Sequence, residues 1–177
     1  MSELTHTTTA EPFLRRAGGL AIMSGIISTI GVFFLIVMFV LFTTPYKELG
    51  MTFGQINDIC IAIQYLLTIP LALALDRVLR PYHPTFIRLA TVIGIASMIV
   101  VILLQLALVY GFLTFEQQVG WVTLAMIGGV GSWLIVTGFV ARSTGRLPRS
   151  VLMSALAVPY LGYPVWAFWL GRRLLNW

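Results

Sequence analysis

Between Ala17 and Phe42 the chain runs without a single charged residue: AGGLAIMSGIISTIGVFFLIVMFVLF. A helix of about 20 apolar residues crosses a hydrocarbon layer of about 30 Å, so this run is long enough to span a bilayer. In lipid every backbone amide must be satisfied within the segment or within a closed barrel, and an unbroken apolar run without period-two alternation leaves the α-helix. Comparable runs recur down the chain. The sequence therefore predicts an all-α fold, a polytopic transmembrane helical bundle of about five spans, at about residues 17–42, 53–76, 86–112, 119–141 and 150–171. Residues 1–16 read as a polar N-terminal tail on the cytoplasmic side.

Composition agrees with this class. With 59% hydrophobic and 10% charged residues and a mean hydropathy of +0.95, the chain lacks the charged surface of a water-soluble globule. The net charge of +5 resides beside the apolar runs rather than along one face, so it reports topology and no nucleic-acid partner is expected. Arg15 and Arg16 precede a run too long for a signal peptide and without a small-residue cleavage site, which predicts a retained first helix.

The stretch from Met51 to Arg80 is the chemically richest. On a helical wheel of 100° per residue, Asn57, Gln64, Tyr65 and Thr68 fall within about 120° on one side of Asp58, and Ile59, Ile63 and Leu66 lie elsewhere. Unpartnered polar groups are costly in hydrocarbon, so this stripe is expected to face other helices or a water-filled crevice. Asp58 has two readings: a proton, ion or ligand site, or an interfacial cap residue stabilised by the positive end of the helix dipole. Pro70 removes one backbone bond and predicts a kink.

Gln105 is the main interior polar group of the third span and a candidate partner for the stripe. Small residues four apart, Ala21 with Gly25 and Ser24 with Ser28 in the first span, then Ala125 with Gly129 and Gly128 with Ser132 in the fourth, predict close helix approach. In the last segment Pro159 and Pro164 flank Tyr160, Gly162 and Tyr163. Such an interruption fits a kinked packing helix, a binding cleft or a re-entrant segment. Trp166, Trp169 and Trp177 with Arg172 and Arg173 make an interfacial anchor. The candidate binding residues are thus Asp58, Gln64, Tyr65, Gln105, Tyr160 and Tyr163.

Other chemistry finds no support. The single Cys60 makes no intrachain disulfide or Cys-x-x-Cys site, and no span holds a histidine for haem or pigment ligation. His83 lies between two prolines in a loop, without a partner at ligand spacing. The Gly128–Gly131 cluster lies mid-span without the lysine of a phosphate loop. No metal, cofactor or catalytic residue is expected, and the chain is read as a non-enzyme. Lys and Arg then orient it. Arg15, Arg16, Arg77, Arg80, Arg88, Arg142, Arg146 and Arg149 fall on one side and Lys47, Arg172 and Arg173 on the other, eight against three, which places the N-terminus in the cytoplasm of a cell-membrane protein.

The turn Arg142-Ser143-Thr144-Gly145-Arg146-Leu147-Pro148-Arg149, followed by the Gly- and Tyr-containing last segment, resembles an uncharacterised family of small polytopic bacterial membrane proteins, a domain of unknown function. The resemblance implies the helical fold over most of the chain and no activity, substrate or catalytic residue. Many such proteins carry six spans, one more than is read here. Two functions follow from the residues: a structural or accessory subunit packing against other membrane protein subunits in the lipid bilayer, or a small transporter or ligand-binding protein built around Asp58.

Overall fold

The computed structural model describes residues 10–144 and 163–175. Among them the fold is the expected all-α one: α1 (Ala10–Phe42), α2 (Lys47–Leu79), α3 (Pro84–Val109), α4 (Phe115–Thr123), a π-helical stretch (Leu124–Gly131), α5 (Ser132–Ser143) and α6 (Tyr163–Leu175), with no strand. The segments from Phe115 to Ser143 run on as one helix, and with α1, α2 and α3 they give four helices long and apolar enough to cross a membrane. A multi-pass membrane protein is the class these helices fit. Of the expected fifth span, α6 shows the 13 residues Tyr163–Leu175, and positions 150–162 lie outside the described residues, as does the Gly145–Arg149 part of the basic turn.

The turns are closed by local chemistry. Thr43 and Thr44 return their hydroxyls to the Val40 and Leu41 carbonyls at 2.7 and 2.8 Å, satisfying acceptors that the end of α1 leaves open. Pro84 stands in the first turn of α3, where a missing N–H costs nothing. At the far end of α3, Gly111 takes φ +76°, and the Phe112 and Gly111 amides donate to the Ala107 and Leu108 carbonyls at 2.8 and 3.0 Å, a Schellman closure that only glycine enters without strain. Thr114 and Gln117 then start α4 with a reciprocal capping box.

Packing runs in series: α6 on α1, α1 on α2, α2 on α3, and α3 on the α4–π–α5 span. Close approach is made by small residues. A Cβ on Gly18 would stand 2.7 Å from the Gly171 carbonyl oxygen, and one on Gly94 would stand 2.6 Å from Cγ of the fully buried Trp133. Outward, Phe33, Ile36, Phe39, Leu103 and Phe139 are all exposed, a surface that suits lipid and that water would penalise. At one end of the bundle Arg77 lies over the Phe13 ring at 4.2 Å and Arg80 pairs with the buried Asp76 one turn earlier, so the basic ends of α1 and α2 are level.

Candidate functional site

Helix α2 begins at Lys47, behind Tyr46, which makes no side-chain cap. Asp58 therefore stands about three turns into the helix and cannot cap it, which removes the cap reading. Its depth follows from the rise along the axis. Asp58 lies about 28 Å of helix from Arg77, and the Asn57 side chain beside it packs against Gly31 of α1, so the carboxylate is level with the interior of the Ala17–Phe42 apolar run. It is half-buried there, with the buried Asn57 amide beside it.

Thr68 lies about 14 Å of helix from Arg77, and its surroundings differ. Ser24 of α1, Thr68 of α2 and Tyr163 of α6 bring three buried hydroxyls together. Ser24 Oγ is 2.6 Å from the Tyr163 hydroxyl and 3.1 Å from Thr68 Oγ1, and Tyr163 also bonds Thr68. The backbone carbonyl of Gln64 accepts from Ser24 at 3.1 Å and from Thr68 at 2.7 Å. With those two protons on the carbonyl, the tyrosine donates to either neighbour, and all three donors are satisfied without a charge. Three helices are pinned at one point in this way, inside a bundle where an unpaired polar group would be costly.

A second polar contact closes the opposite end of the bundle. Gln118 of α4 donates to Gln105 Oε1 at 2.6 Å and to the Leu104 carbonyl at 3.3 Å, both inside the α3–α4 hairpin. Gln105 is thus joined to Gln118, where the sequence had suggested the α2 stripe.

The candidate residues divide accordingly. Gln64, through its backbone carbonyl alone, and Tyr163 meet at the hydroxyl cluster, Tyr65 is buried in the apolar core, Gln105 belongs to the hairpin contact, Asp58 stands apart, and Tyr160 lies outside the described residues. The stripe does turn inward, since Asn57, Gln64, Tyr65 and Thr68 are all buried. Sequence reasoning treated Ser24 as a packing residue and passed over Gln118. The available signal for Gln118 was a pair of glutamines flanking one short turn. Among the described residues no group of His, Cys, Asp and Glu could hold a metal ion. Compared with protein-family models, curated proteins and solved structures, the chain matches none, so the reading of these sites rests on their own geometry.

Proposed function

We propose that the chain is a non-catalytic accessory subunit of a larger membrane assembly, with its N-terminus in the cytoplasm. The observation that carries this reading lies on the fourth span. Gly120, Gly128 and Ser132 are exposed there beside the bulky exposed side chains of Trp121, Leu124 and Ile127. A Cβ on Gly120 would meet nothing within 4 Å, and one on Gly128 only Leu124 of the same helix at 3.6 Å. Lipid draws no benefit from glycine, which costs about 1 kcal/mol against alanine inside a helix, whereas a neighbouring helix uses its absent side chain to come close. Gly18, Gly25, Gly94 and Gly129, by contrast, meet neighbours within the chain. The clustered hydroxyls of Ser24, Thr68 and Tyr163 are likewise spent on internal bonds, which favours packing over transport.

Purification of the tagged chain from its native membrane in mild detergent tests the proposal. A stoichiometric set of membrane partners is expected, and Gly128→Leu should release them while leaving the thermal stability of the chain unchanged. A lone small oligomer in the unsubstituted protein would overturn the subunit reading and favour the transporter or ligand-binding alternative around the half-buried Asp58.

A further inference from the structure

A groove of about 480 Å³ opens at the basic end of the bundle, where α2 turns into α3, lined by Arg80, Pro84, Thr85, Arg88, Leu89 and Val92. Its chemistry is graded along α3. Arg80 and Thr85 line the part nearest the α2–α3 turn, Arg88 follows about one turn along α3, and the exposed Leu89 and Val92 continue toward the apolar stretch of that helix. From Pro84 to Val92 the gradient covers about 12 Å of helix, the distance over which a bilayer passes from headgroup to acyl chain.

Charge in the groove is one-sided. Asp76 pairs with one terminal nitrogen of Arg80, whose side chain remains about half exposed at 47%, leaving further donors of its fork for a second acceptor. Arg88 is exposed and has no carboxylate within salt-bridge distance among the described residues. Two arginines and a hydroxyl around one opening complement a phosphate, because a guanidinium presents paired donors to phosphate oxygens. A free phosphate would leave the apolar half of the groove unused. A zwitterionic lipid would meet the arginines without net charge to offer them.

We infer that this groove is a binding site for an anionic phospholipid, its phosphate held between Arg80 and Arg88 with Thr85, and one acyl chain laid along Leu89 and Val92. The site is independent of the subunit proposal, since it is lined by residues of α2 and α3 whereas that proposal rests on Gly120, Gly128 and Ser132 of the fourth span, and its occupancy is read on the isolated protein.

Native mass spectrometry of the full chain in detergent, titrated with dioleoyl phosphatidylglycerol, dioleoyl phosphatidylcholine or inorganic phosphate, tests it. One phosphatidylglycerol is expected to be retained in preference to phosphatidylcholine, with inorganic phosphate failing to compete at equal concentration. Arg88→Gln should weaken retention roughly five- to tenfold, the loss of one interfacial cationic contact. Val92→Trp, which fills the apolar half and spares both arginines, should weaken it as well. Arg15→Gln, at the same end of the bundle but outside the groove, should leave it unchanged. Equal retention of the two lipids, equal loss in Arg15→Gln and Arg88→Gln, or full competition by inorganic phosphate would each overturn the site.

Discussion

Trp133→Ala is expected to cost about 3 kcal/mol of bundle stability, measured by reversible unfolding in bicelles. That figure stands at the low end for deleting a buried aromatic ring, because lipid already solvates apolar surface and the loss is mainly one of packing. Trp133 is the largest fully buried side chain among the described residues and lies directly over Gly94 of α3, so the ring is the wedge that joins α3 to α5. The reciprocal change supports the same geometry. Gly94→Ala would place a methyl 2.6 Å from Trp133 Cγ and 2.7 Å from its Cβ, and should destabilise by about 1–3 kcal/mol through overpacking. A loss below about 1 kcal/mol in Trp133→Ala would show that the ring is dispensable to the α3–α5 contact.

The second large effect is expected at Gly18, with the adjacent Gly19 as its control. Gly18→Ala would drive a methyl into the Gly171 carbonyl at 2.7 Å, and a Cβ on Gly171 would meet the Gly18 carbonyl at 2.6 Å, so the obstacle on each side is backbone that cannot rotate away. About 1–3 kcal/mol of stability should be lost as α6 moves off α1. Gly19→Ala meets nothing within 4 Å and should be neutral or stabilising by up to about 1 kcal/mol, because alanine favours the helix. Thermal denaturation of the two variants side by side decides the matter, and equal effects would contradict the α1–α6 contact.

Hydropathy made the membrane class and the long helices legible, because a bilayer demands unbroken apolar length and the chain supplies it from Ala17 onward. The inward turn of the α2 stripe was legible for the same reason, since Asn57, Gln64 and Thr68 have no other economical direction in lipid. The depth of Asp58 was not. Reading the helix start from the edge of the apolar run ignores that Lys47, Glu48 and Leu49 continue the helix into the interface, where water satisfies both charges and backbone. Pairings between distant segments were hidden too. Tyr163 meets Ser24 across 139 residues, and nothing local to either residue specifies the other. The π-helical stretch around Gly128, Gly129 and Gly131 reads from sequence as a packing face, because loss of the i−4 bond pattern leaves no mark on composition.

The central claim is that the hydroxyl cluster is sealed packing between three helices and that water reaches the half-buried Asp58, whose carboxylate hydrocarbon would penalise. Substituted-cysteine labelling tests it directly. In a Cys60→Ala background, single Ser24→Cys, Thr68→Cys and Asp58→Cys variants are treated in native membranes with a water-soluble maleimide, and total thiol is read after unfolding in SDS. Reaction of a thiol requires its thiolate and hence water at the site. The cysteine at position 58 should label in the folded protein, and those at positions 24 and 68 only after SDS. Native labelling at position 24 or 68 would contradict the account, because it would place water in the middle of the bundle, where a transport path would run.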